Sequence, residues 1–254
     1  VNNIVFGIAS FNRPDKQYFL AYLKGLGYKR EDIYIGTQCN RDYEQYQDLF
    51  GKDATIVFRQ GENVCDNKNN LLDILTRTGK RIVIASDKVR GLQYLAAGCK
   101  AVTIESRRTF DATVEFGYAL AARNRCQVWG VYPTSNAYFM KRTASVDKML
   151  LGCFMAFQPR TTLRFDPQFP IKEDFEISCR VVKQGGHTLR FNNLCLDATF
   201  HQKGGSWELW HAEGDCVNRM CCERMLRKYP TLVTKHPTRK NELRFTGKSR
   251  TIAL

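Results

Sequence analysis

Residues 3–14 read NIVFGIASFNRP, and the way this run ends decides what kind of fold follows. Its apolar part suits a strand buried on both faces. Pro14 forbids continuation, because a proline ring has no N–H to offer a ladder. Behind it, KQYFLAYLKGLGY (16–28) carries Phe19, Leu20, Leu23 and Leu26 at helical spacing and ends in glycine. The same unit recurs as DIYIGTQ (32–38) with RDYEQYQDLFG (41–51), and as ATIVFRQ (54–60) with DNKNNLLDILTRTG (66–79). A fourth apolar run, RIVIASDKV (81–89), comes directly after. Alternation at this length predicts right-handed crossovers and an α/β fold with a mostly parallel central sheet flanked by helices.

In such sheets ligands bind at the carboxyl ends of the strands, so the loops after Ala9, Gln38, Gln60 and Ala85 are expected to line one crevice. Their contents are polar: Ser10, Asn12 and Arg13; Gln38 and Asn40; Asn63, Asp66, Asn67 and Lys68; Ser86, Asp87 and Lys88. Glycine-rich phosphate loops of the dinucleotide or P-loop kind are absent. Phosphate would therefore be held by side chains such as Arg13 and Lys68, or by a metal.

Residues 91–125 read as helical, with GLQYLAAGCK and TVEFGYALAARNR on either side of the strand-like AVTIE. QVWGVYP (127–133) and MLLGCFMAF (149–157) are strand-like and flank NAYFMKRTASVDK, which predicts an antiparallel portion. A polar turn, in which Asp166 starts a reversal, leads to FPIKEDFEISCRVVKQGGHTLRFNNLCLDATFH (169–201). Glu173 and Asp174 open a helix there, Gly185 and Gly186 break it, and a strand returns His201. Acids favour a helix start through its dipole alone, so the pair reads equally as helix electrostatics or as a site. The loop QKGGSWELWH (202–211) and the helix-forming DCVNRMCCERMLRKYP (215–230) complete the chain. The expected organisation is one domain, residues 1–218, with a basic C-terminal extension, 219–254, packed on it.

The charge is strongly positive, 39 Lys and Arg against 25 Asp and Glu, for a formal excess of +14. Such a field favours polyanionic partners. It is concentrated from Arg219 onward, where Arg224, Arg227, Lys228, Arg239 and Lys240 interleave with Tyr229, His236 and Phe245. Cations with aromatic rings among them suit phosphate contact plus base stacking. The ten cysteines are scattered and mostly sit among apolar residues. Cys216, Cys221 and Cys222 lack paired C-x-x-C spacing, which argues against structural zinc. No run of eighteen apolar residues and no secretory pattern is present, so the expected workplace is the interior of a cell.

The ordered set of motifs resembles the GT-A glycosyltransferase superfamily, whose fold is Rossmann-like. SFNRP (10–14) resembles its T-Y-N-R-P opening, and DNKNN (66–70) its helix-start A-R-N segment. SDKV (86–89) stands where D-x-D is usual, and KEDFE (172–176) resembles its later E-D motif. Within that superfamily IVIASDKVRGL, GCFMAF and FHQKGGSW make the chain similar to the TET/JBP-associated glycosyltransferases, often of bacteriophages. The resemblance implies transfer from a nucleotide sugar, UDP-linked by expectation, to a 5-hydroxymethylcytosine or 5-hydroxymethyluracil in DNA, in the host cytoplasm for a phage protein. By position Ala9, Ser10, Asn12, Arg13 and Gln38 would line the nucleotide pocket, with Asp66 near the base and Lys68 near the diphosphate.

A leaving diphosphate must be neutralised as its bond to the sugar breaks. Ser86 and Lys88 replace the outer acids of the motif, leaving Asp87. Either Asp87 and His201 hold Mg or Mn, or Lys88 substitutes for the ion as a fixed charge. Asp174, and after it Glu173, is the implied base for the acceptor hydroxyl. Lys203, Gly204, Gly205 and Trp207 would form either a loop over donor or acceptor or an ordinary turn packed by Trp207 and Trp210. Arg224, Arg227, Lys228, Arg239 and Lys240 would hold DNA phosphates. Other readings are a transferase acting on protein or glycan, a non-catalytic nucleic-acid-binding module on a degenerate scaffold, and a nucleotidyltransferase.

Overall fold

The computed structural model describes residues 3–198 and 215–254. The opening run is strand β1 (Ile4–Ala9), flanked in parallel by β2 (Ile33–Thr37) and β4 (Arg81–Ser86), with β3 (Thr55–Phe58) parallel to β2 beyond. Helices α1 (Tyr18–Gly25), α2 (Asn40–Phe50) and α3 (Val64–Leu75) make the crossovers, so the predicted β-α units all form. On the far side of β4 lies β9 (Phe154–Phe157), antiparallel to it, then β7 (Cys126–Tyr132), antiparallel to β9, then β10 (His187–Ala198), parallel to β7. β8 (Thr143–Val146) and β13 (Arg250–Ala253) add antiparallel strands at that edge. Two reversals through β9 leave β7 and β10 running with β1 and β4. The carboxyl ends of all four therefore share one edge of the sheet.

Side-chain alternation divides the core as strand geometry requires. Phe6, Ile8, Val83 and Ala85 enter one layer with Phe19, Leu23, Phe110 and Trp129. Val5, Ile82 and Ile84 enter the other with Leu71, Leu75, Phe157 and Ile177. Gly36 lets α3 lie close on β2, since a Cβ there would collide with Asn67 and Leu71. That approach carries Asn67 and Lys68 to the carboxyl edge.

The expected helix over 91–100 does not form. That stretch belongs to β5 (Val89–Leu95), which pairs antiparallel with β10 and with β6 (Ala101–Thr103). Its local pattern is compatible with a helix, but the free edge of β10 offers a ladder, and tertiary pairing outweighs weak propensity. Gly98 and Cys99 turn the hairpin with positive φ, +71° and +54°. A Cβ at Gly91 would meet Thr103 at 2.8 Å. Only the second part of the region is helical, as α4 (Arg107–Arg123). Likewise Met149–Cys153 is a turn into β9 rather than strand.

Helix α5 (Glu173–Lys183) precedes β10. At the C-terminus α6 (Cys216–Lys228) and the hairpin of β11 (Val233–Lys235) with β12 (Leu243–Phe245) share a small core with Phe169, Ile171 and Cys179. The buried Glu176 carboxylate fastens α6 to α5, accepting hydrogen bonds from Lys228 at 2.9 Å and Tyr229 at 2.7 Å, with Arg180 at 3.2 Å. No helix among the described residues is long and apolar enough to cross a membrane. The cysteines are free thiols.

Candidate active site

Two groups of polar side chains meet at the carboxyl edge. The first is built around Asp87, which follows β4 and has no solvent exposure. Its carboxylate accepts hydrogen bonds from Ser10 Oγ at 2.7 Å and Ser86 Oγ at 3.1 Å, and Arg13 Nε lies 3.6 Å away. Helix α2 holds the loop from below: Tyr46 hydroxyl accepts from Arg13 N at 3.0 Å, and Asp42 accepts from Asn12 N at 2.7 Å. Asn12 has a φ of +50°, so the loop is tightly shaped. Burial raises the Asp87 pKa, opposed by Arg13 and the serine hydroxyls. Burial, with Arg13 and then Lys16 among the neighbours, lowers that of Lys88. Arg13 is only 6 % exposed, yet its Nε and Nη1 have no hydrogen-bond acceptor among the described residues.

The second group joins α3 to α5. Asn67 Nδ2 donates to the carbonyls of Ser10 at 3.0 Å and Gly36 at 2.8 Å, stitching α3 to β2 and to the loop after β1. The next residue, Lys68, is buried and donates to Glu173 Oε1 at 2.7 Å and to Gly152 O at 3.2 Å. Burial alone would lower the Lys68 pKa; Glu173 overrides it and the pKa rises. Asp174 is partly buried and accepts from Gly152 N at 2.9 Å and Phe175 N at 2.8 Å. Burial and then the charge of Glu173 push its pKa up to about 6, against the pull of the Gly152 N–H and Lys68. The acid pair is therefore divided: Glu173 is tied to an ammonium, and Asp174 is held by backbone donors.

Gly152 and Cys153 link the two groups. A Cβ on Gly152 would meet Glu173 Oε1 at 2.9 Å, Asp174 Cβ at 3.1 Å and Lys68 Nζ at 3.2 Å. Cys153 O accepts from Ser86 N at 3.1 Å. Burial raises the Cys153 thiol to about 11, with Lys68 and Lys88 opposing and Asp174 and Glu173 reinforcing. The thiol thus sits in the field of both groups. Sequence reading placed Cys153 in an apolar strand and passed over Gly152. The available signal was a lone glycine inside an apolar run, which often marks close backbone approach.

Ala9 ends β1 beside this edge, and Gln38 Nε2 donates to Asn63 O. The Asp66 carboxylate caps α3, accepting from Glu62 N at 2.8 Å and Asn63 N at 3.2 Å. It also lines, with Arg59, Asn63 and Pro167, a cavity of about 500 Å³ at the end of β3. Asp166 accepts from Gln168 N at 3.0 Å, the turn expected of it. Arg224 and Lys228 lie against residues 166–168 and α5, where Arg224 donates to Gln168 O at 2.8 Å and Lys228 to Asp166 at 2.8 Å. With Arg227 and Phe169 they line a second concavity of about 540 Å³. Arg239 and Lys240 are exposed between β11 and β12. His201, Lys203, Gly204, Gly205 and Trp207 lie outside the described residues.

Among the described residues no group of three or more His, Cys, Asp or Glu side chains is placed to hold a metal ion. The Asp87 oxygens face Ser10, Ser86 and Arg13. Mg and Mn favour oxygen-rich shells, and the second ligand expected with Asp87, His201, lies outside the described residues.

No protein-family model matches the sequence, and no curated protein matches it. Among solved structures the chain is similar to one described as a nucleotide-diphospho-sugar transferase from Desulfovibrio desulfuricans G20, with a TM-score of 0.45 and 9% identity over 90% of this chain and 99% of that one. It is also similar to apo mouse xyloside xylosyltransferase 1, with a TM-score of 0.30 and 7% identity over 72% of this chain and 74% of that one.

Proposed function

We propose that this protein transfers a sugar from a nucleotide sugar, UDP-linked, to the hydroxyl of a 5-hydroxymethylpyrimidine in DNA. The observation that carries the transferase reading is Arg13, a buried guanidinium at the carboxyl edge whose Nε and Nη1 have no hydrogen-bond acceptor among the described residues. Unpaired buried donors are costly, and a diphosphate would satisfy them. The acceptor oxygen attacks the anomeric carbon as its proton passes to Asp174. The bond from that carbon to the diphosphate oxygen breaks, and the electron pair leaves with the diphosphate. Arg13, Lys16 and Lys88 neutralise the charge that develops.

Asp174 suits the base role because its pKa of about 6 leaves it ionised at neutral pH yet more basic than a free carboxylate. Each of its oxygens keeps a second lone pair after the backbone bond. Glu173 acts as an anchor for Lys68. The formal charge of +14 and the exposed Arg239 and Lys240 support the DNA acceptor, as does the resemblance of the motifs.

The test offers labelled UDP-sugars to hydroxymethylated DNA, unmodified DNA and a protein extract. The expected outcome is label in hydroxymethylated DNA alone, with UDP released in equal amount. Label confined to protein would remove the DNA acceptor. Release of pyrophosphate would mark nucleotidyl transfer, and failure of every nucleotide sugar to bind or react would leave a non-catalytic scaffold.

A further inference from the structure

The loop after β7 leaves the sheet at the same edge as Ser10 and Asp87, because β7 runs parallel to β1 and β4. It places two aromatic rings in solvent. Tyr138 is 82% exposed and Phe139 55%, the two most exposed large hydrophobic side chains among the described residues. Exposed apolar patches of this kind mark contact sites more often than isolated surface residues do.

The rings are not exposed because the turn lacks structure. Asn136 Oδ1 accepts from Tyr138 N at 3.1 Å, and Asn136 O accepts from Phe139 N at 3.1 Å. Met140 N donates to Ala137 O at 3.2 Å, and the Met140 side chain is buried beneath the turn. Lys141 N donates to Asn192 O on β10 at 3.0 Å, which fixes the exit. The backbone is thus held at both ends while the rings point away from the core. Their centroids are 5.2 Å apart at 86°, and a T-shaped pair leaves ring faces open to a third ring.

The stretch of chain that carries the pair is cationic. Exposed Lys141 and Arg142 follow directly, and no acidic residue occurs between Tyr132 and Asp147. Open aromatic faces beside cations, on a protein with a formal charge of +14, match an unstacked base attached to a phosphate backbone. A neutral oligosaccharide would use the rings but not the charge.

We propose that Tyr138 and Phe139 form a stacking platform for an unpaired base of a nucleic acid strand at the site, with Lys141 and Arg142 on the flanking phosphates. The proposal rests on the DNA-acceptor part of the function given above. Enzymes that modify a base commonly need it, or its neighbours, out of the stack, and such a platform would hold that opened strand.

The experiment measures binding of a fluorescent single-stranded oligonucleotide and of the matching duplex by anisotropy, for the wild type, the Tyr138→Ala/Phe139→Ala double variant, Tyr138→Phe and Lys141→Ala/Arg142→Ala. UDP binding by calorimetry is read in parallel. The aromatic double variant is expected to lose single-strand affinity by roughly tenfold or more. It should keep the wild-type salt slope, UDP affinity and circular dichroism, while Tyr138→Phe binds as the wild type does. Lys141→Ala/Arg142→Ala is expected to shallow the salt slope by about two. Unchanged single-strand affinity in the aromatic variant overturns the platform, as does a wild type that binds UDP but no oligonucleotide. That last result leaves the transferase reading intact. Oligonucleotide binding without UDP binding supports the platform and removes the UDP-linked donor.

Discussion

Arg13 is nearly excluded from solvent, and among the described residues its ionic partner is Asp87, 3.6 Å from Nε. On the proposed reading its unmatched nitrogens take the donor's diphosphate. Arg13→Ala should weaken UDP binding by about tenfold or more, since hydrogen bonds to charged groups contribute about 1.5–3 kcal/mol. Isothermal calorimetry checks this, and Arg13→Lys should recover only part, having no planar fork. Asp174→Asn should lower kcat by roughly 10²–10⁴ while UDP affinity stays within about twofold. With Asp174 intact, kcat should rise as pH increases through about 6, because only the ionised carboxylate accepts a proton. A flat profile there would remove the base assignment. Gly152→Ala should cost about 1–3 kcal/mol and lower Tm, because the new methyl group presses on Glu173, Asp174 and Lys68 together. Asp174 and Lys68 are legible as polar residues at strand ends and helix starts. The role of Gly152 is not, because it arises from a backbone N–H meeting a carboxylate twenty-two positions later in the chain.

Helices α5 and α6 behave as one unit through Glu176. The buried carboxylate serves Lys228, Tyr229 and Arg180, and burial followed by the hydrogen bond to Glu176 raises the Tyr229 pKa. Glu176→Ala should destabilise the protein by about 3–5 kcal/mol, the cost of removing one partner from a buried ion pair. Hydrogen exchange should show the loss concentrated in α6. The outer link, Asp166 to Lys228, titrates in a known direction. Burial alone would raise the Asp166 pKa, but its hydrogen bond from Lys228 leaves it lowered. Its stabilising effect is full above the unfolded value, about 4, and is lost as pH falls through the lower folded value. Protection of α6 should therefore decline below about pH 4, and Asp166→Asn should flatten that decline. The helices themselves are readable from apolar spacing. β5 is not, because a strand defined by the edge it joins carries only a weak local signature.

At the scale of the whole molecule, the proposed DNA acceptor rests on the formal charge of +14. DNA affinity should fall roughly tenfold or more between about 50 and 200 mM salt, the signature of counterion release. Affinity that ignores salt would count against the charge-driven reading. The order of the β-α units, the parallel sheet, the polar loops after its strands and the sign of the charge follow from the sequence alone, since apolar period, turn residues and composition are local properties. Tertiary structure decided the rest: that Glu173 is neutralised by Lys68 while Asp174 is held by Gly152, that Asp87 is enclosed by Ser10, Ser86 and Arg13, and that Tyr138 and Phe139 stand in solvent. The physical reason is common to all three. Which hydrogen bonds a side chain makes, and how much water it keeps, depend on residues far away in the chain that only packing brings near.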